Sequence, residues 1–330
     1  MTGTINGVSR RSLLAGAAGV ATTAAIASQS DKAFAKAPMA GTAMTSFRRV
    51  KLGDFEVTAV FDGFANVPKV FPIFGNNQSE EKVAAHMQAN FLPGDAMQIG
   101  FTPMVVNTGN ELILFDTGNG SERGETRGHI LNSLAAAGFS ADQIDVVVIS
   151  HFHPDHIGGM IKEGKAVFPN ARYVTGAAEY DFWTSKDVTE SSDKSMQDRS
   201  NLVQAQVVPL AEKFTFLKPG NDVVTGITSI ENFGHTPGHM AYNIESNGKR
   251  LLLWADACNH YAASLQKPEW HVIFDMDKDK AVASRRKILD MAAADKVPAT
   301  GYHMPFPAIG FVEKVGDAHR WVPMSYQFDL

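Results

Sequence analysis

Apolar positions recur along the chain with two periods. Residues 55–61 alternate apolar and polar side chains and stop at Asp62-Gly63, which predicts a half-buried strand. Residues 102–107 and 111–115 flank Thr108-Gly109-Asn110, the composition of a hairpin turn. Residues 146–150 form a nearly continuous β-branched run, the mark of a strand covered on both faces. Further strands are predicted at 227–232, 250–254 and 299–302. The spacing at 130–137, 177–183 and 281–294 predicts helices, the first closed by Gly138 and the last amphipathic. Strands and helices alternate, which argues for an α/β protein of layered sheets with helices outside. No repeat or linker divides residues 36–330, so they read as a single domain with an extended, weakly ordered lead-in at 36–48.

Composition narrows the chemistry. The chain has 330 residues, 44% hydrophobic and 20% charged, with a formal charge of -5. That is enough apolar material for a large core. No Lys/Arg run stands out, which argues against a nucleic-acid partner. Cys258 is the single cysteine, so neither an intrachain disulfide nor a thiolate zinc site can form, and any metal must be held by histidines and carboxylates. The first 35 residues have the layout of an export signal. Ser9-Arg10-Arg11-Ser12-Leu13-Leu14 opens it, an apolar small-residue stretch comes next at 13–27, and Ala33-Phe34-Ala35 resembles a cleavage site. The arginine pair makes it a twin-arginine type, which predicts a periplasmic or secreted mature protein. The stretch is too short and Ala-rich for a stable membrane span.

The candidate chemistry is concentrated after the 146–150 strand. His151-Phe152-His153-Pro154-Asp155-His156-Ile157-Gly158-Gly159 places four ligand-type side chains within six residues. Imidazole and carboxylate suit zinc and similar divalent ions. So many ionisable groups beside a Val/Ile strand would be costly to bury without a cation to pair them. Gly158 and Gly159 are expected to let the following helix pack close to the sheet. Three more candidates each come directly after a strand-like run: His235 in Gly234-His235-Thr236-Pro237-Gly238-His239, Asp256 after Leu251-Leu252-Leu253-Trp254-Ala255, and His303 after Thr300-Gly301-Tyr302. Ligands at strand ends converge on one sheet edge. His86, His129, His260, His271 and His319 lack this context and read as structural or exposed. His239, in a Gly/Pro turn, is expected to support a ligand from behind.

The ordered set His-x-His-x-Asp-His, His, Asp, His resembles the metallo-β-lactamase superfamily, and Asp116-Thr117-Gly118 upstream also fits. The resemblance implies a four-layered αβ/βα sandwich holding two divalent metal ions, zinc first, with manganese, iron or cobalt as alternatives. It implies that His151, His153 and His235 bind one ion, that Asp155, His156 and His303 bind the other, and that Asp256 bridges them. Asp155 and Asp256 are the carboxylates it places in catalysis, and Asp116 would orient a ligand histidine. Within the superfamily the chain is most similar to methyl parathion hydrolase over roughly residues 50–325. The matching stretches are Gly53-Asp54-Phe55-Glu56 with Asp62-Gly63, the 234–239 turn, Pro305-Phe306-Pro307 with Ile309-Gly310, and Asp181-Phe182-Trp183. The activity implied is hydrolysis of a lactone, aryl ester or organophosphate triester by attack of a metal-bridging hydroxide. A dedicated acyl-homoserine lactonase is the alternative, then diiron redox chemistry, then metal binding without catalysis.

The substrate wall is predicted from the loops. Phe64, Val67, Val70, Phe71, Ile73 and Phe74 lie in a Pro- and Gly-punctuated stretch at 64–77, read as a surface loop. They either pack on the core or a dimer contact, or form an apolar lid. In the lid reading Phe71, Phe74 and Trp183 wall a pocket for a small neutral ester. The polar stretches 119–128 and 191–204 would leave the opposite side wetter than in methyl parathion hydrolase, favouring lactones and aryl esters over phosphotriesters.

Overall fold

The computed structural model describes Met39 and residues 41–330. The export signal expected at 1–35 lies outside the described residues. Met44–Leu330 form one compact unit.

The chain lays down β1 (Phe47–Leu52), β2 (Phe55–Val60), a hairpin of β3 (Gly63–Val67) and β4 (Met97–Phe101) with helix α1 (Glu80–Ala89) between them, then β5 (Met104–Asn107), β6 (Leu112–Phe115), α2 (Ile130–Ala136) and β7 (Val146–Val148). The short α3 (Pro154–Ile157), a small hairpin β8 (Ile161–Lys162) and β9 (Lys165–Ala166), β10 (Arg172–Gly176), α4 (Ala177–Thr184), α5 (Lys186–Thr189), α6 (Lys194–Gln206) and β11 (Phe214–Leu217) complete the first half. The second half contains β12 (Asp222–Val224), β13 (Ile227–Glu231), β14 (Met240–Ser246), β15 (Lys249–Ala255), α7 (Lys278–Asp295), β16 (Ala299–Gly301), β17 (Ile309–Val315) and β18 (Ala318–Pro323). Two seven-stranded sheets result, in the orders β1-β2-β5-β6-β7-β10-β11 and β12-β13-β14-β15-β16-β17-β18.

The period-2 pattern explains the layers. In β7, Val146 and Val148 enter the core between the sheets, while Val147 enters a second core beneath the helices. In β6, Ile113 and Phe115 face one way and Leu114 the other. The inner core joins both sheets, and its cluster takes in both faces of β15, where α7 adds Ile288, Leu289 and Ala292. The outer core of the first sheet is closed by Ile130 and Leu134 of α2, Trp183 of α4 and Val203 of α6. This is the four-layered arrangement expected.

Two expectations about loops need correction. The 64–77 stretch is not one surface loop: β3 pairs with β4, and beyond it Val70 and Phe74 are buried with Val83, Met87, Trp270 and Val272 in a separate small core. Phe71 packs half-buried against that core. The polar 191–204 stretch is mostly α6, capped by Asp193, whose side chain accepts from the Ser195 and Met196 N–H groups. Its sparse apolar positions are placed at helical spacing, and Val203 and Ser200 are the residues it buries. The lead-in at 36–48 joins β1 from Phe47 onward.

Candidate metal centre

The seven predicted ligand side chains come together at the strand ends. Their ligand-type atoms fall into two groups: His151, His153, His235 and Asp256, and Asp155, His156 and His303. Each group's atoms lie within 4.8 Å of one another. His151 and His153 lie in the turn after β7, Pro154 starts α3, and Asp155 and His156 occupy its first turn. Phe152, between the two histidines, points away into the outer core. A Cβ on Gly158 would collide with the Asn119 carbonyl, and one on Gly159 with that of Thr117, so both glycines allow a close approach, but to the loop after β6: the helix expected to follow them is the short α3 before them, and the β8–β9 hairpin comes next. Asp116 and Ala255 hold left-handed backbone at φ 63° and 46°. Both stand at strand ends beside the cluster, a strain typical of functional sites.

Hydrogen bonds from behind fix which nitrogen each ring offers. His156 Nδ1 lies 2.9 Å from Asp116 Oδ2, and His235 Nδ1 lies 2.8 Å from Asp275 Oδ1. His303 Nδ1 lies 2.9 Å from the Gly100 carbonyl of β4. His151 Nδ1 is 3.1 Å from Ser150 Oγ, whose hydroxyl in turn reaches Asp116. Carboxylates and carbonyls accept, as does Ser150 Oγ once its own proton goes to Asp116, so these four rings carry a proton on Nδ1 and turn Nε2 inward, the nitrogen left to offer to a metal. His153 presents Nδ1 instead, 3.0 Å from His151 Nε2 and 2.8 Å from His235 Nε2. Ring nitrogens converging this closely need a shared proton or a cation between them. His156 Nε2 and Asp256 Oδ1 are buried without a hydrogen-bond partner, which fits a metal in the same way.

Asp256 stands between the two groups. Its Oδ2 is 3.1 Å from His303 Nε2 and 3.3 Å from His235 Nε2, and its Oδ1 is 3.3 Å from His156 Nε2. Asn259 Nδ2 donates to Oδ2 at 2.8 Å. His239 lies behind Asp256: its Nδ1 meets the Asn232 carbonyl at 3.0 Å and its Nε2 accepts the Asp256 N–H at 3.3 Å. Burial, with His235 nearby, pushes the His239 pKa down to about 3, which keeps it neutral. Burial and the neighbouring rings also hold His151 and His153 well below the usual histidine range. At His156, His235 and His303 burial pulls the same way, but the carboxylates outweigh it and raise the pKa, to about 9 at His235. The centre favours positive charge on the side lined by acids.

Three supporting residues were not foreseen. Glu179, fully buried on α4, accepts from the Phe152 and Gly238 backbone, Thr236 Oγ1 and Trp183 Nε1. Asp275 holds His235, and the buried Arg285 donates to Asp275 Oδ2 at 2.8 Å. The legible signal was Arg285 itself: it stands on the stripe of α7 that also carries Ala281, Ile288 and Ala292, and a charge among apolar positions demands a buried partner.

A cleft of about 660 Å³ opens onto the centre. Val67, Pro68 and Ile73 line it from the 64–77 stretch, with Met97, Ile99 and Phe101 of β4. Neither Phe71 nor Phe74 does, because both are spent on the small core. Trp183 is not a wall residue either. It is fully buried in the outer core, and its indole N–H is bound to Glu179 at 2.8 Å. The polar stretches contribute Asn119, Arg123, Thr126, Arg127 and Arg199, so that side of the cleft is polar, as expected.

The sequence profile described as Metallo-beta-lactamase superfamily matches residues 102–299. The chain is 28% identical over 134 residues to the N-acyl homoserine lactonase AttM of Agrobacterium fabrum, 38% of this chain and 46% of that protein. It is 24% identical over 169 residues to an N-acyl homoserine lactonase of a Bacillus species, 51% of this chain and 58% of that one. These matches span about half the length of those lactonases. Among solved structures, AidC, a dizinc quorum-quenching lactonase in complex with a product, superposes with a TM-score of 0.78 and 30% identity over 86% of this chain and 98% of AidC. The hydrolase AbOPH, in the beta lactamase superfamily, gives 0.80 and 26% over 87% and 100%.

Proposed function

The chain belongs to the metallo-beta-lactamase superfamily, and from that premise we propose that its histidine–aspartate cluster holds two divalent ions, zinc first, and hydrolyses ester-type bonds, lactones foremost. The observation that carries this reading is the position of Asp256, whose Oδ2 lies 3.3 Å from His235 of one half and 3.1 Å from His303 of the other, with Oδ1 3.3 Å from His156. Two ions so held would lower the pKa of water toward neutrality and polarise a carbonyl oxygen. The protein's own part is placement. Asp116, Asp275 and the Gly100 carbonyl fix three ligand rings in the required tautomer. Asp155, the most exposed of the ligand carboxylates, faces the cleft 3.5 Å from His303 and 3.6 Å from His156 and is assigned to orienting the attacking water. The apolar wall of Val67, Ile73, Met97 and Ile99 seats an acyl or aryl group and excludes bulk water.

Likeness over nearly the whole of AidC, a lactonase, supports lactones ahead of methyl parathion. A dedicated acyl-homoserine lactonase is the narrower form of the same reading, favoured by the AttM match. The test is kcat/KM on zinc-loaded enzyme for dihydrocoumarin, a long-chain acyl-homoserine lactone, p-nitrophenyl acetate and methyl parathion. A lead of methyl parathion by about tenfold, worth about 1.4 kcal/mol of transition-state binding, overturns the lactone preference. Asp256→Ala should lose bound metal as well as turnover, and two tightly held ions in that variant would overturn the bridging role. Export by the arginine pair belongs to the same proposal, and normal export of an Arg10→Lys, Arg11→Lys double variant would refute it.

A further inference from the structure

The cleft has two unlike walls. One is apolar, built by β3, β4, Ile73 and Phe274. The other carries Arg123, Arg127 and Arg199, and the acidic residues that line the cleft are the two ligand carboxylates Asp155 and Asp256. Elsewhere the described residues pair Arg172, Arg250, Arg285, Arg286 and Arg320 with carboxylates, and Arg48 and Arg49 with backbone carbonyls. The three arginines of the cleft have no carboxylate partner among the described residues.

Arg199, half-buried on α6, is the informative one. Its Nη1 stands 3.5 Å from His153 Nε2. His153 turns Nδ1 toward the centre, so as a neutral ligand it keeps its proton on Nε2. Histidine ligands give that outer N–H to a carboxylate, carbonyl or water. Here His156 gives its own to Asp116, His235 to Asp275, His303 to Gly100 and His151 to Ser150. His153 alone faces a guanidinium, another donor. With His153 acting as a ligand through Nδ1, the Arg199 and His153 Nε2 N–H groups would face each other across 3.5 Å, and the acceptor that both then require is not supplied by the described residues.

We propose that Arg199 and the outer N–H of His153 form a subsite for a carboxylate arm of the substrate, remote from the bond that is cleaved. The preferred substrate is then an ester or lactone with an apolar group on one side and an anionic group on the other, not the neutral ester expected from the sequence. Arg123 and Arg127 extend the same field to the mouth. Arg199 is a specificity-determining residue in this scheme, and the scheme rests on the ester-hydrolase reading of the metal centre.

The test uses the full chain loaded with zinc and two esters with one leaving group. Mono-p-nitrophenyl glutarate carries a free carboxylate, and p-nitrophenyl valerate is its neutral counterpart. In the wild type kcat/KM for the glutarate ester leads by about tenfold, and the lead shrinks as salt rises. Arg199→Gln abolishes most of that lead, while Arg199→Lys, which keeps the charge without the planar fork, retains part of it. A wild-type ratio near one, or a ratio unchanged in Arg199→Gln, overturns the proposal. Calorimetric titration with the two product acids reads the subsite without turnover. Each acid offers one carboxylate to the metals, and glutarate alone has a second. Glutarate binds the wild type more tightly and loses that advantage in Arg199→Gln; equal binding of the two acids to the wild type overturns the subsite. If neither ester is cleaved but the glutarate advantage persists and depends on Arg199, the ester-hydrolase reading fails and the anion subsite stands.

Discussion

The Glu179 carboxylate accepts the backbone N–H of Phe152 at 2.8 Å, and Phe152 sits between two of the metal-facing histidines. The other carboxylate oxygen accepts from Thr236 Oγ1 and the Gly238 N–H at 2.7 and 2.9 Å, beside His235. One buried side chain thus ties the loop after β7 to the loop after β13. Burial pushes its pKa above the usual glutamate range against the pull of its four donors. Glu179→Gln replaces one acceptor by an NH2 group that faces donors. It should cost about 3 kcal/mol and lower zinc affinity by roughly tenfold. Urea unfolding and a competition titration with a chelator check both; unchanged values in each would show that the tie is dispensable.

Trp183 belongs to the outer core, and its substitution should behave accordingly. Trp183→Phe keeps most of the apolar volume and loses the bond to Glu179. It should destabilise the fold by about 1–2 kcal/mol while reducing kcat/KM for aryl and aliphatic lactones by the same factor. A loss confined to aryl substrates would return Trp183 to the cleft.

The parts of the site that obey short-range chemistry were legible in the sequence. His151, His153, Asp155 and His156 fall within six residues, and no ordinary surface demands that spacing. His235, Asp256 and His303 became readable because each comes directly after a strand-like run. Strand β7 was readable because both of its faces are covered, while β17 and β18 were not, since charges interrupt Ile309–Val315 and Ala318–Pro323. Glu179 and Asp275 carry no local signature: each is a single acid whose link to the metal-facing loops runs through residues far along the chain, as Thr236 is from Glu179 and His235 from Asp275. The wall residues were misjudged for a related reason. Hydrophobicity says that Phe74 and Trp183 must leave water, and does not say which surface will cover them. The small core covers Phe74 and the outer core covers Trp183, and the cleft is left to Val67 and Ile73 on one side and Arg199 on the other.

His260 should make the fold sensitive to acid. It is buried, and burial, with His86 nearby, depresses its pKa from 6.5 to about 4. Its Nδ1 accepts from the Ala262 and Ala263 N–H groups at 3.1 and 3.2 Å, so the neutral ring is the one that fits. The unfolded chain takes up this proton first as pH falls. The stabilisation is therefore full above 6.5, declines from 6.5 to about 4, and is level below that. Between pH 7 and pH 5 the wild type should lose about 2 kcal/mol more than His260→Asn, whose amide oxygen can still accept from the turn. Urea unfolding at the two pH values measures the difference, and equal losses would assign the acid sensitivity to other groups.

Arg285 and Asp275 provide the last prediction. Both side chains are fully buried, and the guanidinium also donates to the carbonyls of Ala257, Pro268 and Trp270 at 2.8, 3.0 and 3.1 Å. Burial alone would raise the Asp275 pKa, but His235 and Arg285 outweigh it and hold the carboxyl below the usual range. Arg285→Leu leaves an unpaired buried carboxylate and three carbonyls without donors, which should cost about 3–5 kcal/mol. The charge left on Asp275 would still orient His235, so metal should bind whatever protein remains folded. Asp275→Leu removes the acceptor behind His235 and strands Arg285, so it should lose both stability and metal. Combining the two substitutions removes both charges at once and should recover stability relative to either single variant, without recovering zinc affinity, because His235 then has nothing to fix its tautomer. Urea unfolding and chelator competition on the three variants separate the roles. Recovery of zinc affinity in the double variant would mean that the pair supports the fold alone and has no part in holding the ligand ring.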